Sequence, residues 1–120
     1  MSWNFDNDRP IYAQLLEILQ MQIASGQYGP GEKLPSVREL AATANVNPNT
    51  MQKAFAALEQ SGLITTNRTI GRTVTEDTAM IKAVQKDLAG SHITQFIQKM
   101  RELGFTGEEI KQLVESTIKE

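Results

Sequence analysis

Two helix starts lie so close together that only a short helix and a tight turn fit between them. Ser36 is followed three residues on by Glu39, a capping box in which each side chain satisfies a backbone N–H of the other residue. Asn47 is followed by Pro48, a side-chain cap joined to a residue whose φ is already helical and whose missing N–H costs nothing there. Between them, Val37, Leu40, Ala41 and Ala44 make one apolar face, and the pattern stops at Ala44-Asn45. The helix begun at Pro48 has Met51, Ala54, Phe55 and Leu58 facing inward and closes at Ser61-Gly62. Two helices about three residues apart, with Val46 as the one apolar residue of the turn, match a helix-turn-helix, whose second helix enters the DNA major groove.

The flanking sequence completes the pattern. Arg9-Pro10 predicts another helix start, with Pro10 at the first helical position. Ile11, Leu15, Leu19 and Ile23, with Ile18 beside them, form its stripe, and Ser25-Gly26 ends it. Residues 27–35 are dense in turn formers. Leu63 to Thr66 and Thr73 to Thr75 are β-rich runs around Asn67 to Arg72, which predicts a hairpin with a loop longer than the two-residue minimum. Apolar residues then keep helical register from Ile81 to Leu103, which predicts one long helix over about 78–103, through Gly90. Gly104-Phe105 is a stop, and Thr106 with Glu109 is a second capping box before Ile110, Leu113, Val114 and Ile118. The expected fold is α+β and mainly helical. A winged helix-turn-helix over residues 1–75 is the DNA-binding domain, and a two-helix segment over 76–120 is the dimerisation tail.

Composition excludes several classes. A chain of 120 residues that is 40% hydrophobic and 22% charged is neither disordered nor low-complexity. With no cysteine there is no disulfide framework, and with one histidine, His92, multi-histidine metal sites and Ser-His-Asp triads are poorly supplied or absent, so no cofactor, metal or enzymatic role is expected. No apolar run is long enough for a membrane helix. The opening MSWNFDNDRP lacks the basic and apolar regions of a signal peptide, and a cytoplasmic location is expected.

The net charge of −2 is a poor guide. Residues 33–72 hold Lys33, Arg38, Lys53, Arg68 and Arg72 against Glu39 and Glu59, five basic less two acidic, a local +3. The outward face of the helix begun at Pro48 carries Asn49, Thr50, Gln52 and Lys53 and no aliphatic residue longer than alanine. Asn and Gln can pair bidentately with adenine, and lysine suits phosphate. At the start of that helix, Asn47 and Thr50 place backbone N–H groups where a phosphate can dock. The rival reading is a winged-helix protein-interaction module without direct DNA readout, which would expose apolar residues on that face.

These residues carry a resemblance to a known family. The run Pro10-Ile11-Tyr12-x-Gln14-Leu15 is followed by Ile23-x-x-Gly26 and Pro30-Gly31-x-x-Leu34-Pro35-Ser36-x-Arg38-x-Leu40-Ala41. Val46-x-x-x-Thr50 and Ala54-x-x-x-Leu58-x-x-x-Gly62-Leu63-Ile64 complete it. Together they resemble the GntR family of bacterial transcriptional regulators, over residues 10 to about 75. The tail, mainly through Leu103-Gly104-Phe105-Thr106-x-Glu108-Glu109-Ile110, is similar to the YtrA-type subfamily, whose short C-terminal helices serve dimerisation in place of a large effector domain.

The resemblance implies a homodimeric regulator, a repressor, on a near-palindromic double-stranded operator. It implies DNA contacts from Ser36, Arg38, Asn49, Thr50, Gln52 and Lys53, and from Arg68, Thr69 and Gly71 of the wing. Asn47 at the helix cap and Arg72 in the hairpin loop are expected to join them. Arg38 has a bland alternative, an ion pair with Glu39 or Glu59. Dimerisation is expected through Ile81, Val84, Leu88, Phe96, Ile97, Met100, Ile110, Leu113 and Val114. His92 is expected in the core or interface, and Tyr12 beside the wing. Trp3 and Phe5 have two candidate partners, the tail or a second subunit, and an effector is left open. Two departures stand out. Pro48 and Gln52 occupy the surface where many members carry arginine, and Thr69 replaces the first glycine of the usual Gly-x-Gly wing tip. The first departure shifts the expected base preference away from guanine.

Overall fold

The computed structural model describes residues 3–119, whose elements run α1 (Ile11–Ala24), α2 (Val37–Ala44), α3 (Pro48–Ser61), β1 (Ile64–Asn67), β2 (Gly71–Val74), α4 (Thr78–Glu102) and α5 (Gly107–Ile118). The fold is mainly helical with one small antiparallel sheet, a winged helix-turn-helix followed by two helices. Two compact units divide it, one ending at Gln85 and the next beginning at Lys86.

In the first unit α3 is the hub, packing against α1, α2 and β1. Its inward face of Met51, Ala54, Phe55 and Leu58 is wholly buried against Leu15, Leu19 and Ile23 of α1 and Leu40, Ala41 and Ala44 of α2. Leu63, Ile64 and Val74 close the core from the hairpin, and Leu34 from the preceding loop. Trp3 and Phe5 lie partly buried on this same core, together with Met80, Ile81 and Val84 from the start of α4.

The segment before α1 is held by one buried amide. Gln14 donates from Nε2 to the carbonyls of Asp6 and Arg9, at 2.9 and 3.0 Å, and accepts the Asp6 N–H at 2.7 Å on Oε1. A buried primary amide is costly unless its groups are paired, and this one is paired at both ends. Pro10 is the residue before α1 rather than its first helical residue, a shift of one position from the sequence expectation.

Both capping boxes form. The Glu39 N–H donates to Ser36 Oγ at 3.1 Å, and the Ser36 N–H to Glu39 Oε1 at 2.9 Å. Thr106 and Glu109 make the same reciprocal pair at α5. The turn between α2 and α3 is Asn45-Val46-Asn47. Asn45 ends α2 in the left-handed region at φ 56°, which asparagine tolerates better than most residues, and Val46 returns an N–H to the Ala41 carbonyl.

The wing turn is tighter than the sequence suggests. The strands pair from Ile64↔Val74 to Asn67↔Gly71, so only Arg68, Thr69 and Ile70 connect them. Asn67 Oδ1 accepts the N–H groups of Thr69 and Ile70, folding the turn from inside, and Gly71 at φ 109° begins the return. The other edge of β2 is covered: Leu34 donates to Arg72 O and Val74 to Glu32 O, both at 2.9 Å.

In the second unit the rest of α4 continues through Gly90 without a break, and α5 buries Ile110. His92 is exposed rather than on a buried stripe.

Candidate nucleic-acid interface

The residues expected at DNA all belong to the first unit, on α2, α3 and the wing. Ser36 Oγ accepts the Glu39 N–H at 3.1 Å and lies on the exposed side of the cap. Arg38, in the first turn after that cap, is exposed and has no ion pair or side-chain hydrogen bond among the described residues. It pairs with neither alternative partner. Glu39 is held by Ser36, and Glu59 accepts hydrogen bonds from Thr66 Oγ1 and, at 3.3 Å, from Arg72 Nε.

On α3, Asn49, Gln52 and Lys53 are exposed and Thr50 is half-buried. Asn47 caps the helix, its Oδ1 accepting the Asn49 N–H at 2.7 Å while its carbonyl accepts the Thr50 N–H at 3.0 Å. The Thr50 N–H, expected to be open to a phosphate, thus has an internal acceptor. An anion here meets side chains first. Lys53 Nζ lies 4.0 Å from the centre of the Tyr12 ring, a cation–π contact. Tyr12, expected beside the wing, therefore touches the recognition face.

Arg68 and Thr69 are exposed at the wing tip, and Gly71 opens β2. Arg72 is different. Its side chain is 27% exposed, its Nε donates to Glu59, and its guanidinium carbon lies 5.4 Å from the Phe55 ring centre. Lys33, counted in the local positive charge, is not among the DNA contacts the sequence leads one to expect. It is exposed, bridges to Thr73, and lines a shallow groove of about 210 Å³ with Ser36, Glu39, Ile70 and Gly71. Its place three residues before the Ser36 cap was the available signal.

The acidic groups on this side are tied into the scaffold. Hydrogen bonds from the Ser36 backbone N–H, then from its hydroxyl, hold the Glu39 carboxyl below the usual range. The Glu59 carboxyl is lowered first by the Thr66 hydroxyl and then by Arg72, against partial burial. Both remain anionic at neutral pH, with their charge directed to internal donors.

The residues expected at a dimer contact separate into two sets. Ile81 and Val84 pack half-buried on the core of the first unit. In the second unit, Phe96, Met100, Leu113, Val114, Thr117 and Ile118 line an apolar groove of about 320 Å³. Phe96 and Leu113 are each 41% exposed, Leu88 and Ile97 are half-buried, and Ile110 is buried. Among the described residues there is no acidic, histidine or cysteine cluster able to hold a metal ion, and no helix is long and apolar enough to cross a membrane.

Comparison with known proteins gives a consistent result. The family model "Bacterial regulatory proteins, gntR family" matches residues 11–74. The HTH-type transcriptional repressor YtrA of Bacillus subtilis is 34% identical over 110 residues, covering 88% of this chain and 80% of that protein. The structure of a GntR family transcriptional regulator from Listeria monocytogenes is similar at a TM-score of 0.84 and 40% identity, covering 93% of this chain and 98% of that one. The DNA-binding domain of AraR, solved in complex with operator ORX1, matches at a TM-score of 0.57 and 27% identity, covering 62% of this chain and 99% of that one.

Proposed function

The chain belongs to the gntR family of bacterial regulatory proteins and is a DNA-binding transcriptional regulator, not an enzyme; from that premise we propose that it is a cytoplasmic repressor that binds a near-palindromic operator as a homodimer. Residues 1–75 read DNA and residues 76–120 join two copies. Each α3 enters a major groove, with half-sites about one helical turn apart. Asn49 and Gln52 meet base edges. Ser36, Arg38, Thr50 and Lys53 flank them, and Lys33, Arg68 and Thr69 reach the backbone beside the wing. Phe96, Ile97, Met100, Leu113 and Val114 form the contact between copies.

One observation carries the reading: the exposed face of α3 is polar and cationic, while nearby carboxylates are occupied by internal donors. A protein-binding helix would expose apolar side chains there, and α3 does not. Repression is supported by the likeness to YtrA, which is named a repressor.

Selection of preferred duplexes from random DNA by the full chain tests this reading. The expected product is an inverted repeat in which the bases under α3 are not dominated by guanine, because no arginine lies on that face. Binding to the selected duplex should fall linearly in log–log form with salt, by counterion release. Recovery of no common sequence, with binding nearly indifferent to salt, would favour the protein-interaction alternative.

A further inference from the structure

We infer that Glu59, Thr66 and Arg72 form a brace that fixes the wing against the recognition helix, so that Arg72 is a positioning residue for DNA readout and not a ligand of DNA. Thr66 and Arg72 are cross-strand partners, one pair in from the wing turn. Both donate to one carboxylate, Glu59, in the last turns of α3. Arg72 is also stacked over Phe55, one helical turn before Glu59 and fully buried in the core. Both strands of the hairpin are therefore fastened to α3 just below the tip that carries Arg68 and Thr69. A guanidinium held by a carboxylate and an aromatic face must give up both contacts to reach a phosphate. Arg38, Arg68 and Lys33 need give up no ion pair among the described residues.

The brace also answers a geometric need. A two-stranded hairpin on its own is marginally stable. The outer edge of β2 is pinned to residues 31–34, and β1 meets α3 through Ile64 in the core. Near the tip, the Glu59 carboxylate ties both strands to the helix that reads the groove. Arginine suits this position and lysine does not. Its Nε–H can donate to Glu59 while the planar group covers the Phe55 ring.

The proposal rests on DNA binding by this face, and the parent protein's salt-dependent binding to the selected duplex checks that separately. The test measures affinity of the full chain for the selected duplex and for a random duplex of equal length, across a salt series. Four variants are compared with the parent: Arg72→Gln, Arg72→Lys, Glu59→Gln and Lys33→Gln. Circular dichroism confirms that each is folded. For Arg72→Gln the expected result is an unchanged salt slope and a several-fold loss of preference for the selected duplex. Arg72→Lys should fail to restore that preference, since charge alone does not rebuild the contact. Glu59→Gln, the milder change, should lose preference in the same direction. Lys33→Gln supplies the contrast: its slope should drop by about 0.9, the value for one lost phosphate contact. A slope reduced by the Arg72→Gln change, or a preference restored by lysine, makes Arg72 a DNA ligand and overturns the proposal. Unchanged preference in both Glu59→Gln and Arg72→Gln overturns it as well.

Discussion

Arg38 is exposed beside the Ser36 cap, with Glu39 and Glu59 both engaged elsewhere. That arrangement leaves a guanidinium able to meet DNA without first giving up an ion pair. Arg38→Ala should therefore weaken binding to the selected duplex by about 1–3 kcal/mol, the scale of a good base contact. Anisotropy titrations of parent and variant at one salt concentration decide the matter, and equal affinities would remove Arg38 from the interface. The contrast with Arg72 shows what a sequence can and cannot say at this scale. Both arginines are visible as local positive charge. Whether a charge faces outward depends on residues far away in sequence, here Glu59 and Phe55 on a different element. The same holds for Lys53, whose neighbour Tyr12 lies on α1. No local pattern encodes either pairing.

Elements were far more legible, because their signals are local. Both capping boxes, the Asn47-Pro48 start of α3 and the three-residue turn at Asn45 follow from hydrogen-bonding groups within a few residues of each other. The sequence shows the wing as a hairpin but sets Asn67 to Arg72 in its loop, whereas Asn67, Gly71 and Arg72 all pair in the strands and the Asn67 side chain folds the shorter turn. These local bonds also predict an acid response. Glu39, Glu59 and Glu109 have carboxyls lowered in the folded chain, chiefly by hydrogen bonds from Ser36, Thr66 and Thr106. The unfolded chain then binds more protons than the folded one below the ordinary glutamate value of about 4.3. Their stabilisation is complete above that value and is lost as pH falls through the lower folded values. Thermal unfolding should show Glu59→Gln less stable than the parent near neutral pH. The gap should narrow as pH falls below the ordinary glutamate value and through the lower folded one, where protonation makes the parent's side chain as neutral as glutamine. A gap constant with pH would mean that the charge of Glu59 adds nothing.

For the molecule as a whole, the proposed homodimer turns on how two weak DNA-binding heads would act as one selective binder. Each head carries only a local excess of positive charge, +3 over residues 33–72. One head alone should bind weakly and with little preference, whereas joining two makes the second contact intramolecular. The joining surface proposed here is the apolar groove around Phe96 and Leu113, whose side chains remain two-fifths exposed in the single chain. Ile81 and Val84 pack instead on the core of their own head, which leaves the later part of α4 and α5 to supply the contact. Because Leu113 is only partly buried, Leu113→Glu should fold normally while placing a charge where a second copy must pack. Sedimentation at micromolar concentration should then show a single subunit for the variant and a dimer for the parent. Affinity for the selected inverted repeat should fall by about 10²–10⁴-fold, the gain that linkage confers, while binding to a duplex holding one half-site stays near the parent's per-head value. A variant that still sediments as a dimer, or that loses half-site binding to the same degree, would place the contact elsewhere. Retained half-site binding distinguishes a lost partner from a damaged head, since the recognition face and the groove lie on separately packed units.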